Sequence, residues 1–142
     1  MAGPLERFLD AQAGGVHERA ARELRAGRKA THWMWFELPQ LRGLGRSETA
    51  RRYGLDGLDE ARAYLAHPVL GARLRELVDL VVEAPSADPV AVFGAVDAMK
   101  LRSCLTLFQA AAPDEPRFGR ALDRCFDGEA DPLTLERLGA GS

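Results

Sequence analysis

Apolar residues recur at helical spacing along most of this chain. Leu5, Phe8 and Leu9 begin an amphipathic stretch that Gly14 and Gly15 end. Val16, Ala20 and Leu24 carry a second one up to Gly27, a residue suited to the left-handed position after a helix. Asp59 to Ala66 reads as a helix that stops at His67-Pro68, because the residue before a proline avoids the α region. Pro68 fits the first turn of the next helix, whose buried stripe is Leu70, Leu74, Leu77, Val78 and Val81. Asp88-Pro89 predicts a further start, a capping acid ahead of a proline, with the helix running to about Gln109. Phe118, Leu122 and Cys125 mark another, closed by Gly128, and Asp131-Pro132 opens a last one carrying Leu135 and Leu138.

Between these lie segments of another kind. His32 to Leu38 is apolar and aromatic, too short to classify by period, and is closed by Pro39. The stretch from Gln40 to Ser47 holds Gly43 and Gly45 and reads as a loop, after which Ser47 and Glu48 start a short helix through Tyr53. No segment alternates convincingly enough for a sheet. The pattern therefore predicts a mainly α, compact single domain over residues 1–138, a bundle of about six to eight short helices with little or no sheet. Residues 139–142 are expected to form a disordered tail.

Composition sharpens this only in part. The 142 residues suffice for one domain with a real core, and 46% hydrophobic against 28% charged residues is an ordinary balance for a soluble chain. The N-terminus has neither a basic nor an apolar leader pattern, and no apolar run approaches the ~18 residues of a membrane span. Cys104 and Cys125 have no C-x-x-C spacing, and His17, His32 and His67 are scattered. Reduced thiols, a cytoplasmic location, and no metal, cofactor or membrane are the resulting expectations.

Charge changes the picture more. From Arg19 to Arg52 there are nine basic residues against three acidic ones, so this third is +6 and the remainder −8 in a chain of net −2. Either these are solvated helix faces or they surround an anion-attracting cleft. The pI of 5.9 argues against nucleic acid as a partner. Oligomeric state is left open.

All the basic residues but Lys29 and Lys100 are arginine. Lysine is a compact point charge that can act chemically, whereas arginine is a permanently charged fork, so two surviving lysines point to a site. On a helical wheel, Phe93, Val96, Asp97, Lys100, Cys104, Leu107 and Phe108 share one face, with Asp97 and Lys100 near its middle. Charges there must be paired or used, either as an internal ion pair or as groups facing a ligand. Lys29, Thr31, His32, Trp33, Trp35 and Gln40 interleave polar groups with rings in the other lysine segment. A core anchor is one reading. The other is a surface for a flat ring with attached phosphate, with His32 as an acid or base. Gly43-Leu44-Gly45-Arg46-Ser47 is only faintly like a phosphate loop, with Arg46 as its cation.

These residues also carry a resemblance. Arg7-Phe8-x-x-Ala11-Gln12 is followed by Glu23-Leu24-x-x-Gly27-x-Lys29-x-Thr31-His32-Trp33-Met34-Trp35-Phe36-x-x-Pro39-Gln40-x-x-Gly43-Leu44-Gly45-x-Ser47. Together with Phe93-Gly94-x-x-Asp97-x-x-Lys100-Leu101-x-Ser103 and Thr106-Leu107-Phe108, this run resembles the bacterial domain of unknown function family 1810 over nearly the whole chain. Cys104 stands where that pattern has a second serine. The family resemblance implies a compact helical domain and no established activity. Its occasional calpastatin label is rejected, because that inhibitor class is disordered and this chain has a core. A fainter likeness, over the Asp97 to Phe108 helix and the Phe118 helix, is to the NADAR superfamily associated with NAD and ADP-ribose.

Two functional expectations follow. In the first, the domain binds, and hydrolyses, an anionic nucleotide-like ligand, an N-glycosidic bond derived from ADP-ribose or NAD being the first guess. Trp33 or Trp35 stacks a ring, Lys29, Arg28 and Arg46 meet phosphate, Thr31 and Gln40 supply polar contacts, and Asp97, Lys100, His32 and Glu48 carry the chemistry, a carboxylate stabilising positive charge on the sugar. In the second, the chain is a non-enzymatic interaction module whose Trp/Lys segment is structural core.

Overall fold

The structure, a computed structural model, describes residues 4–140. It contains ten helices among them: α1 (Glu6–Gln12), α2 (Val16–Arg25), α3 (Met34–Glu37), α4 (Glu48–Tyr53), α5 (Leu58–Ala66), α6 (Leu70–Glu83), α7 (Pro89–Phe93), α8 (Ala95–Ala111), α9 (Arg117–Phe126) and α10 (Pro132–Ala140). The fold is all helical, as the periodicity predicts. Sheet-like pairing among the described residues is limited to an isolated bridge between Leu41 and Leu55.

Helix starts follow local chemistry. The Ser47 hydroxyl accepts the Ala50 N–H at α4, and the Asp88 carboxylate accepts the Val90 N–H at α7. At α6, ring Nδ1 of His67 accepts from Val69 and Leu70, a cap that the His67-Pro68 junction did not announce. Gly27 closes α2 at φ +79, with Arg28 N–H on the Glu23 carbonyl.

Two differences raise the helix number above the expected range. The aromatic segment closes one short helix, α3. The single helix expected from Pro89 to about Gln109 breaks at Gly94, whose φ of +84 favours glycine over any residue with a Cβ. The break resets the helical phase. Val96 is 68% exposed, and the buried stripe of α8 runs through Ala98, Leu101, Cys104, Leu105 and Phe108. Asp97 and Lys100 therefore sit at its edge, half-buried, and not in the middle of an apolar face. The C-terminal helix reaches Ala140, so half of the expected tail continues α10, and residues 141–142 lie outside the described residues.

The core is built around α6 and α8, with α2, α5 and α9 packed on them. An aromatic file of Phe8, Tyr64, Phe108 and Phe118 runs through it, with successive ring centroids 5.1, 5.7 and 5.8 Å apart. Trp33 and Leu38 are buried in the same core. The short α3 between them is thus pinned at both ends, which places its middle at the surface over the start of α8.

Candidate functional site

The segment 28–33 is irregular, bent at Thr31 and His32, so its shape is fixed by side chains and not by a helical ladder. The Glu23 carboxylate on α2 accepts four hydrogen bonds from it: Ala30 N–H (2.7 Å), Thr31 N–H (3.0 Å), the Thr31 hydroxyl (2.6 Å) and Trp33 Nε1–H (2.9 Å). Burial pushes the Glu23 carboxyl up, but these donors outweigh it and hold it at about 2. Lys29 N–H donates to the Val92 carbonyl at 2.7 Å, tying the segment to α7.

This frame delivers Lys29 to Asp97. Lys29 Nζ lies 2.9 Å from Asp97 Oδ2 and donates to the Thr31 carbonyl at 2.6 Å. Lys100 Nζ donates to the other carboxylate oxygen at 3.1 Å. The chain's two lysines thus hold one carboxylate between them. Burial raises the Asp97 carboxyl, and the hydrogen bonds and charges of Lys29 and Lys100 overcome this and hold it below the usual carboxylate range. Each ammonium also lies against a ring: Lys29 is 5.0 Å from the Trp33 centroid and Lys100 4.2 Å from that of Trp35.

A cleft of about 310 Å³ opens over this arrangement, lined by Lys29, His32, Trp33, Met34, Trp35, Phe36, Thr49, Asp97 and Lys100. It brings together six of the residues singled out in the sequence: Lys29, His32, Trp33, Trp35, Asp97 and Lys100. A larger groove of about 650 Å³, lined by Arg42, Asp56, Asp59, Glu60, Arg62 and Arg137 among others, lies elsewhere. Its charges are mostly paired with one another, as in Arg42–Asp56 and Arg62–Asp59.

The other expected site residues do not line the cleft. Thr31 is turned onto Glu23 and offers Lys29 only its carbonyl. Gln40 is buried, its carbonyl accepting Leu55 N–H, because the Leu41–Leu55 bridge pulls the chain inward. Arg46 and Glu48 are exposed at the Ser47 cap, and Arg28 is exposed beside Lys29. Trp33 is 1% exposed and packs edge-on against Phe93 at 6.2 Å, so it is a core residue with one edge in the cleft. Trp35 is the accessible ring. Glu23, to which sequence reasoning gave no role, organises the whole segment. Its only signal was its place in the Glu23-to-Gly27 motif.

Among the described residues, no three His, Cys, Asp or Glu side chains are grouped so as to hold a metal ion. No helix there is long and apolar enough to cross a membrane. Cys104 and Cys125 are free thiols, both pushed up by burial.

The family model described as a protein of unknown function (DUF1810) matches residues 3–138. The chain belongs to this family. A solved structure, that of the conserved hypothetical protein Rv1873 from Mycobacterium tuberculosis, is similar at 45% identity and a TM-score of 0.92, covering 95% of this chain and 96% of that one. Among curated proteins none matches. The distant likeness to the NADAR superfamily has no counterpart in these DUF1810 matches.

Proposed function

We propose that the cleft over Asp97 binds a small anionic, nucleotide-like ligand. One observation carries this reading: both lysines of a chain otherwise supplied with arginine converge on the same carboxylate in the same cleft. A structural ion pair needs one cation. Here a second is added, which leaves the triad at +1 and keeps ammonium donors beyond those given to Asp97 and Thr31. Trp35 offers a flat apolar wall, and the exposed His32 sits at the rim.

The geometry favours binding over hydrolysis. Glycosidic cleavage uses two carboxylates flanking the bond. Asp97 is the one carboxylate lining this cleft, Glu48 stays outside it, and the charge of Asp97 is already offset by two ammonium groups. Asp97 is better suited to fix the lysines and to accept a sugar hydroxyl. The burial of Trp33 favours the interaction-module reading for that residue, but the partly exposed ring of Trp35, which lines the cleft, does not.

The test is a thermal-shift screen of the wild type and Lys100→Arg against NAD, ADP-ribose, nucleotides and phosphosugars. A ligand at a hundredfold excess over its Kd stabilises by about 2.7 kcal/mol. For a domain of this size that raises Tm by roughly 5–10 °C. A shift in the wild type that is lost in Lys100→Arg supports the proposal. If none of these anions shifts the wild type, the interaction-module reading replaces it.

A further inference from the structure

Behind the cleft wall lies a second charged cluster, joined to the cleft through α3. His17 on α2 has both ring nitrogens against carboxylates: Nδ1 is 2.8 Å from Glu37 Oε1 on α3 and Nε2 is 2.5 Å from Glu76 Oε1 on α6. A neutral imidazole has one N–H and cannot donate to both, so this geometry requires an imidazolium or a carboxyl that keeps its proton. Glu37 is fully buried, and its Oε2 has no hydrogen-bond partner. The other charged and titratable groups facing the cluster are Glu18 and Arg25 on α2, Tyr64 on α5 and Arg73 on α6. Arg25 reaches Glu76 at 3.6 Å, and Arg73 donates to the Gln12 amide and not to Glu37. His17 is therefore the cation that is hydrogen-bonded to Glu37, and Arg73 acts on that carboxylate only through its charge.

Four residues make one hydrogen-bonded turn, too short to hold itself together. Between the buried Trp33 and Leu38, the polar anchors of α3 are the Glu37 side chain and the Phe36 carbonyl, which accepts from Gln12 Nε2 at 2.7 Å and from the Tyr64 hydroxyl at 3.5 Å. The same turn supplies Met34, Trp35 and Phe36 to the cleft. Removing the shared proton leaves a buried carboxylate with at most one neutral N–H on it and no hydrogen-bonded counter-charge at the end of that turn, a state that is relieved by moving Glu37 toward water.

We propose that the His17–Glu37–Glu76 cluster is a proton-controlled latch on α3, which seats the Trp35 wall of the cleft while the cluster is protonated and frees it when the proton leaves. The latch bears on ligand binding only through the reading above, but its own working needs no ligand. As a regulatory element, it makes the cleft wall ordered below the titration of the cluster and mobile above it.

The chain's two tryptophans, Trp33 and Trp35, both report on this segment, so intrinsic emission without ligand is the readout. The parent is His32→Gln, which removes the exposed histidine next to them. Its emission should shift to the red in one reversible step as pH rises, following the ring titration of His17 measured by NMR. In His32→Gln/Glu37→Gln the neutral amide still accepts the His17 N–H but strands no charge, so the step should vanish. Should that variant fail to fold, the two indole N–H resonances of the parent must move with the His17 midpoint. An emission step that survives Glu37→Gln, indole resonances that ignore His17, or a His17 that does not titrate below the pH of global unfolding each overturns the latch. Loss of the step leaves the ligand screen untouched, and a failed screen leaves the step untouched, so the two readings fall separately.

Discussion

The two charged clusters of this domain are mirror images. In the cleft a carboxylate, Asp97, lies between two cations; behind it a histidine, His17, lies between two carboxylates. Asp97 is partly exposed and needs no second cation for stability, since one partner and water would satisfy it. Glu37 is buried, holds an unpartnered oxygen, and depends on a single proton. Burial costs an ion more than its partner returns unless the pairing is complete. The cluster at the surface is over-supplied with charge, as a binding site must be, whereas the buried one is barely compensated and so sensitive to proton loss.

The largest effect expected from breaking this contrast is at His17. His17→Ala removes the cation hydrogen-bonded to the buried Glu37 and should cost about 3–5 kcal/mol, read by chemical denaturation at neutral pH. Restoring part of it in His17→Ala/Glu37→Gln would locate the loss in the stranded charge. A cost under about 1 kcal/mol would show that Glu37 reaches water without His17.

Asp97→Ala comes next. Its side chain is 20% exposed, so the lysines it releases rehydrate in part. The loss should be about 1.5–3 kcal/mol, the range for hydrogen bonds to charged groups, and smaller than at His17. Denaturation midpoints that rank the two variants the other way would invert the comparison.

The two clusters also answer pH with opposite signs. Asp97 and Glu23 have folded values held below their ordinary ones, so their contribution is present above the unfolded value and is lost as pH falls, for Glu23 between 4.5 and about 2. For His17, burial lowers the value, but the hydrogen bonds to Glu37 and Glu76 outweigh it and raise it above 6.5; burial raises Glu37 as well, against the pull of His17. The folded cluster thus retains protons that the unfolded chain gives up, and stability falls as pH rises through the folded values. Tm plotted against pH should peak on the acid side of neutrality, with the alkaline limb flattened in Glu37→Gln and the acid limb in Asp97→Asn. Parallel curves for wild type and both variants would remove these groups from the account.

What the sequence made legible follows the same division. Helix starts at Ser47, Asp88 and Asp131 rest on chemistry within a few residues, so each could be located, and the buried stripe of α6 emerged with its residues correct. The convergence of Lys29 with Lys100 was legible because composition isolated both. Gly94 was not read as a break, since apolar residues on either side keep a helical period across it, and that error put Val96 in the core. His17, Glu37 and Glu76 lie 20 and 59 residues from one another along the pairs that bond, and no local pattern announces such partners. Glu23 sits among surface charges of α2 and differs from them only through a segment that folds back onto it.

The smallest expected effect divides the cleft itself. Lys29 and Lys100 share Asp97, but their side chains are 7% and 20% exposed, and Lys29 is further bound to the Thr31 carbonyl and lies over the Trp33 ring. An arginine at position 100 can leave along the open face of Trp35 and still pair with Asp97, so Lys100→Arg should change stability by no more than about 0.5 kcal/mol. At position 29 the planar fork is larger than the space an ammonium fills, and it must displace either the Thr31 carbonyl contact or the Trp33 packing. Lys29→Arg should therefore cost roughly 1–2 kcal/mol, within the usual range for overpacking a filled site. Paired melting curves without ligand decide it. Equal melting points for the two variants would mean that both lysines are merely surface charges around Asp97, and the argument that Lys29 is built into the floor of the cleft would have to be given up.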